Sequence, residues 1–427
     1  MKLSNQSYKG TRDLYPEDKF LQNVIFNNWH KTAQSFGFQE YGAPLLEPIE
    51  IYRAKSGDEL ANQQTYAFTD RGKREVAIRP EMTPTICRMI AARRQELAYP
   101  ARMYSIANFM RYERPQKGRE REFWQLNADL FGDDSIFADT EILLFAWQVL
   151  INFGANQSMF KIRINDRRLI NAMTKQYLKL DDETSYQLVK LLDQKDKLLS
   201  ETFEQKLAEL LNSSQEAVTK LTELLNNSDF DKLPTELKQT PYYQNIQQIL
   251  TILQAQGVTN AQFDLLLMRG LDYYTGTVFE IFDTDPDNNR SLFGGGRYDG
   301  LVGMFGTEPI SAVGVAPGAS TCLEFIKSHN LIPEYKPLTQ YIILSLDHQE
   351  IAALDLAQKL RQAGINIETD FTDRKLAKKI KSADKKALSG IIIVGEREVS
   401  TGRYSLKNIK TNRSAELTIE DLIKTLK

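Results

Sequence analysis

The chain has 427 residues, of which 42% are hydrophobic and 26% charged, a composition that excludes wholesale disorder and allows two to four domains. No run approaches eighteen consecutive apolar residues, which excludes a membrane-spanning helix. Two distant cysteines, Cys87 and Cys322, and three histidines exclude a disulfide scaffold and a structural zinc site. Net charge is −2, yet the stretch from Leu331 onward holds 17 Lys+Arg against 13 Asp+Glu, or +4, leaving −6 for the rest. A basic end on an acidic body fits a module that contacts nucleic acid, and it equally fits a solvated surface. The opening residues lack the apolar core of a secretory signal, so a cytoplasmic protein is expected.

In chain order, Leu21–Phe36 places apolar residues at helical spacing and ends at Gly37. Short strand-like runs follow through Tyr41–Pro48, and TYAFTDRGKREVAIRP, Thr65–Pro80, reads as a hairpin turning at Asp70–Lys73. Further strands are predicted at Ala101–Phe109, Phe123–Phe131 and Phe160–Ile164, with a helix over Asp139–Asn152. This order predicts an antiparallel sheet with helices packed on it rather than βαβ units. Between Arg167 and Gly257 leucines recur at intervals of three and four among Lys, Glu and Gln, and Ser213 with Glu216 forms a capping-box pattern. The segment reads as a helical insertion whose leucines form its own core. Strand character returns at Phe263–Met268 and Thr277–Phe282, before the glycine-rich FGGGRYDGLVGMFG. Beyond Pro333–Pro337 the order strand (Tyr341–Leu346), helix (Ile351–Ala363), strand (Ile365–Thr369), helix (Leu376–Ala383), strand (Gly390–Val394) predicts a small α/β domain with a parallel core.

Two segments concentrate groups capable of chemistry. MRYERPQKGREREFW, Met110–Trp124, carries four arginines and a lysine around a Pro-Gln-Lys-Gly loop. Strand alternation sends Arg111 and Glu113 to one face, where planar guanidinium groups can pair with phosphate oxygens. A charged hairpin is also the composition of a solvated sheet edge. LMRGLDYYTGTVFEIF, Leu267–Phe282, sets an arginine, two glycines, an aspartate and two tyrosines at a strand end. That suits a pocket for a small polar molecule, and it also suits two packing tyrosines beside a turn. No P-loop, Rossmann fingerprint or nucleophile elbow occurs.

Together these segments resemble the histidyl-tRNA synthetases, a family of class II aminoacyl-tRNA synthetases, nearly end to end. YKGTRDLYPED resembles the family's N-terminal signature, and GFQEYGAPLLEP resembles class II motif 1, with Pro44 as its proline. RYERPQKGREREFWQL resembles motif 2, while RGLDYYTGTVFE and GGGRYDGL resemble the two peptides peculiar to histidyl enzymes.

The resemblance implies an α+β catalytic domain with the antiparallel class II sheet, split into 1–166 and 259–332 by a helical insertion at 167–258. It also implies an α/β anticodon-binding domain at 338–427. The implied activity joins L-histidine to ATP, with Mg²⁺ on the phosphates, and passes histidine to the end of its tRNA, in a homodimer without membrane association. Carried over by motif position, Arg111 and Arg269 grip the α-phosphate as the catalytic pair. Glu81, Thr83 and Gln125 hold the histidine amino group, Asp129 and Tyr274 read the imidazole with Tyr273 beside them, and Met82, Arg111 and Arg269 also belong to the histidine site. Glu113 and Arg119 join Arg111 around ATP, and Arg114, Gln116 and Lys117 approach the tRNA acceptor end. Metal ligands stay unassigned.

Two positions depart from the family pattern. Asp129 stands where many members have Glu. In AVGVAPGASTCLEF the Glu and Arg of motif 3 are replaced by Ser320 and Thr321, so the ATP tail needs another cation, for which Arg119 and Arg121 are nearest by motif. The missing arginine also fits a second reading, a catalytically impaired paralogue acting as a regulatory or binding subunit.

Overall fold

The computed structural model describes residues 3–54, 59–116, 118–193, 195, 198–211, 214–226, 229–268, 273–288 and 290–427. They fall into two compact units, Met1–Ile332 and Pro333–Lys427.

The first unit is built on an eight-stranded sheet. Its strands are β1 (Gln39–Glu40), β5 (Ala101–Met110), β6 (Glu122–Phe131), β7 (Phe160–Asp166), β8 (Ala261–Phe263), β9 (Thr277–Asp283), β10 (Ser291–Arg297) and β11 (Ala312–Val315). A separate small sheet holds β2 (Leu46–Pro48), β3 (Tyr66–Thr69) and β4 (Glu75–Ile78). The order β1-β5-β6-β11-β10-β9-β7-β8 is antiparallel except at its two outer pairs. The helices Pro16–Ser35, Ile136–Ile151 and Ala319–Ser328 cover one face. Their Ile25, Trp29, Ile142, Phe145 and Phe325 meet Leu126, Ala128 and Leu130 of β6 in the main core. Strand alternation therefore turns Phe123, Gln125, Asn127 and Asp129 to the opposite face.

The first helix starts five residues before the predicted Leu21, because Pro16 supplies a preset φ and Glu17 and Asp18 favour the positive end. Trp29 in that helix is wholly buried, and truncation to Ala would cost about 3–5 kcal/mol. The predicted strand Phe263–Met268 is corrected: pairing stops at Phe263. Asp264 Oδ1 accepts the Leu266 amide at 3.0 Å, a local turn that diverts the chain. Leu265 then drops into the core of the insertion.

The insertion has its own core, in which Leu188, Leu207, Leu221 and Leu224 meet Tyr243 and Ile246. Its last helix, Pro241–Ala255, also sends Ile249 and Leu253 into the main core. Ser213, the predicted cap, lies outside the described residues, while the helix itself runs Gln215–Asn226.

In the second unit, β12 (Tyr341–Ser345), β13 (Ile367–Asp370) and β14 (Gly390–Val394) are parallel. An antiparallel hairpin, β15 (Tyr404–Asn408) and β16 (Ser414–Leu417), extends the sheet. On the basic helix Leu376–Lys385, Lys378, Lys381 and Lys385 are exposed. Lys379 is buried and donates to the Ser345 and Asp370 carbonyls at 2.7 and 3.2 Å, so it belongs to the fold and not to a binding surface.

Candidate active site

One row of paired residues crosses the large sheet: Met103, Asp129, Gly314, Gly296, Val278 and Asn165 are successive partners. Its two glycines leave a floor of bare backbone. A Cβ at Gly314 would lie 2.1 Å from Asp129 Oδ1, and one at Gly296 would lie 2.9 Å from the Tyr274 ring. The carboxyl and the ring thus occupy the space that side chains would fill.

Asp129 is buried and accepts a hydrogen bond from the Tyr298 hydroxyl through Oδ1. Its Oδ2 has no hydrogen-bond partner among the described residues. Burial raises the carboxyl to a pKa of about 7, and the Tyr298 bond opposes the shift. Near neutral pH the group therefore populates both an acceptor form and a protonated donor form.

A second cluster adjoins it. The Tyr273 hydroxyl donates to Glu81 Oε2 at 3.2 Å and lies 3.4 Å from Thr83 Oγ1. Its ring stands 4.9 Å from Tyr274 and 5.8 Å from Tyr298, so the three tyrosines join the Glu81 and Asp129 carboxyls in one wall. Met82, between Glu81 and Thr83, is buried with Ala107 and Phe109, which anchors the run at the start of the Thr83–Ala92 helix. Gln125 donates to the Ala316 carbonyl at 3.3 Å.

The ladder of the arginine-rich hairpin runs to Met110 and Glu122; beyond it, Arg111 bridges to Thr65 and Gln116 bridges to Arg119. Arg111 is fixed by Nε donating to the Pro80 carbonyl at 2.9 Å and by its guanidinium 5.1 Å from the Phe123 ring centre. Glu113 sits between two cations, 3.9 Å from Arg111 and 3.7 Å from Arg119. Reciprocal backbone bonds of 3.0 and 2.9 Å between Gln116 and Arg119 close the turn. Arg114 and Gln116 are exposed, while Lys117 and Arg269 lie outside the described residues.

Arg121 is not available to a phosphate, contrary to its place among the candidate cations. It is 9% exposed, and it donates to the Glu113 carbonyl at 3.1 Å and to the Tyr8 hydroxyl at 3.1 Å. Arg119 is 63% exposed and remains the candidate.

Sequence reasoning passed over Tyr298 and Arg297, although both lie within the quoted GGGRYDGL. Arg297 is buried, with Nε donating to Asp139 at 2.8 Å and the other nitrogens to the Asp133 and Ser135 carbonyls. Thr277 donates to the second Asp139 oxygen at 2.9 Å, and Thr275 N donates to the Arg297 carbonyl at 2.8 Å. This buried pair anchors the turn carrying Tyr273 and Tyr274, and loss of one partner would cost about 3–5 kcal/mol.

A largely antiparallel sheet of this order, with helices on one face and an arginine-rich hairpin beside it, has the class II synthetase fold, and comparison with known proteins agrees. Residues 10–322 match the family described as Histidyl-tRNA synthetase, and residues 340–427 match the one described as Anticodon binding domain. The chain is 37% identical over 430 residues to the histidine–tRNA ligase of Leptospira biflexa, covering 100% of this chain and 98% of the relative. It is 34% identical to the histidine–tRNA ligase of Halobacterium salinarum, over 96% and 95% of the two chains. The crystal structure of histidyl-tRNA synthetase from Nostoc superposes with a TM-score of 0.81 at 23% identity, covering 100% and 99%. The chain belongs to the histidyl-tRNA synthetase family.

Proposed function

We propose that this protein is a histidine–tRNA ligase. It activates L-histidine with ATP to histidyl-adenylate and pyrophosphate, then transfers histidine to the 3′ end of its tRNA. The observation that carries the reading is the pair of Asp129 and Tyr274 above the Gly314–Gly296 floor. An imidazole has one nitrogen that donates and one that accepts, and a carboxyl facing a phenol can serve both.

The histidine amino group is assigned to Glu81, Thr83 and Gln125, with Met82 as their buried anchor. Tyr273 orients that set through its bond to Glu81. The histidine carboxylate is already ionised, so adenylation needs no general base. It needs alignment and positive charge where the α-phosphoryl oxygens become more negative. Arg111, held by Pro80 and Phe123, supplies this on one side, and Arg269 is assigned the other. Glu113 and Arg119 complete the ATP site.

Mg²⁺ belongs to this proposal as an ion on the phosphates, where it would screen their charge; the Glu113 carboxylate is already between Arg111 and Arg119, so the ion's protein ligands stay unassigned. Arg114, Gln116 and Lys117 are assigned to the tRNA acceptor end, and the second unit to the anticodon. A cytoplasmic homodimer completes the proposal. Among the described residues, no helix is long and apolar enough to cross a membrane.

Histidine-dependent ATP–pyrophosphate exchange tests the reading. Exchange with histidine and none with glutamine or tyrosine is expected, and comparable rates with the other two would remove the assignment.

A further inference from the structure

The loop from Arg111 to Arg121 is gripped from outside by two segments distant in sequence. The amides of Arg121 and Glu122 donate to the Gly10 carbonyl at 2.7 and 3.4 Å. Gly10 has φ +86° and no room for a Cβ, which would lie 2.7 Å from Arg121 Cγ. The turn at residues 8–11, closed by the Thr11 amide donating to the Tyr8 carbonyl at 2.9 Å, therefore sits against the loop's returning arm.

Glu120 is held at both oxygens. Arg12 Nε stands 3.0 Å from Oε1, and the Ser320 hydroxyl donates to Oε2 at 2.8 Å. Ser320 lies in the first turn of the Ala319–Ser328 helix, whose positive end favours an anion. All three residues rim a cavity of about 190 Å³ with Ile25, Trp124 and Leu323, on the helix-covered side of the sheet. The glycine floor is on the other side of the sheet, so the trio faces away from it.

We propose that Glu120 is the positioning residue of the ATP-binding loop and that Arg12 is its charge partner. The inference rests on the ligase reading above. Glu120 follows Arg119, an exposed cation of the loop. An uncompensated carboxylate there competes for the Arg119 guanidinium and repels an approaching triphosphate. Arg12 cancels that charge, and Ser320 turns the carboxylate onto the helix end, away from the site. The loop then presents Arg111 and Arg119 to the phosphates with Glu113 between them.

The test is steady-state pyrophosphate exchange by the full chain. Arg12→Ala should raise KM for ATP about tenfold, the scale of one unit charge acting over several ångströms near a surface. KM for histidine should stay within about twofold, and added salt should shrink the defect. Adding Glu120→Gln to Arg12→Ala removes the stray charge and keeps an acceptor for Ser320, so KM for ATP should return to within about twofold of the starting protein. Ser320→Ala, which changes no charge, serves as a milder second variant and should raise KM for ATP by about threefold at an unchanged melting temperature. An unchanged KM for ATP in Arg12→Ala would overturn the proposal, as would a defect that Glu120→Gln does not reverse. Absence of histidine-dependent exchange in the unsubstituted protein would instead overturn the ligase reading.

Discussion

The hydroxyl of Tyr298 bonds one oxygen of the Asp129 carboxyl and leaves the other without a hydrogen-bond partner among the described residues. The two side chains are 169 positions apart in the chain and both are buried. Tyr298 thereby sets which edge of the carboxyl is open to a ligand.

A stability prediction follows from the raised Asp129 pKa. The folded protein keeps this proton up to about pH 7, whereas an unfolded aspartate releases it near its ordinary value. The folded state thus binds more protons between about pH 4 and 7, and this group lowers stability as pH rises through that window. Asp129→Asn keeps an acceptor for Tyr298 and removes the titration. Its stability relative to the unsubstituted protein should climb between about pH 4 and 7 by up to about 4 kcal/mol, then level off. Urea unfolding across pH reads this directly, and a flat difference would show that Asp129 titrates normally.

Arg111→Ala should lower adenylate formation by about 10²–10³, far more than it weakens histidine binding, because the charge it meets grows in the transition state. Arg111→Lys should recover less than about tenfold of that loss, since a lysine cannot reproduce the planar contact with Phe123 and the bond to Pro80. Single-turnover adenylate formation, with histidine binding measured separately, checks both.

Thr321→Arg probes the altered motif 3. Thr321 donates to the Gly318 carbonyl at 3.0 Å, and its methyl lies 3.9 Å from where a Cβ on Gly118 would be. The turn of the ATP loop already covers this position. ATP affinity should change by less than about threefold; a gain worth the 1.5–3 kcal/mol of a charge-assisted bond would show that the loop supplies no substitute cation. Calorimetric titration of ATP decides it.

Cutting the chain after Ile332 should spare pyrophosphate exchange and weaken tRNA charging, since each compact unit has its own buried cluster. The exposed Lys378, Lys381 and Lys385 suit a phosphate backbone. Unchanged charging by the shortened protein would remove the anticodon assignment for the second unit.

The long strands β5 and β6 were legible because their alternation reflects one helix-covered face and one site face. The end of β8 was not, because Asp264 turns the chain within an apolar run that looks extended. Among the candidate site residues, Glu81, Thr83 and Tyr273 meet at the Tyr273 hydroxyl, a contact between segments about 190 positions apart that no local pattern carries. Arg121 could not be told from Arg119 by composition: one is locked by Tyr8 and Glu113 and the other is exposed, a difference set by contacts with the distant N-terminal segment. The Tyr298–Asp129 bond is likewise invisible locally, since no periodicity links residues so far apart.

The paired glycines Gly314 and Gly296 carry one more consequence. A pocket walled by side chains breathes as rotamers hop, and its width is a time average. Here the base is made of peptide planes locked in a ladder between β6, β11, β10 and β9, so its depth is as stiff as the sheet itself. The smallest addition, a methyl at either position, would meet Asp129 or Tyr274 head-on. Any reshaping of this pocket must therefore come from its rim, because the ground beneath it cannot be raised without displacing Asp129 or Tyr274.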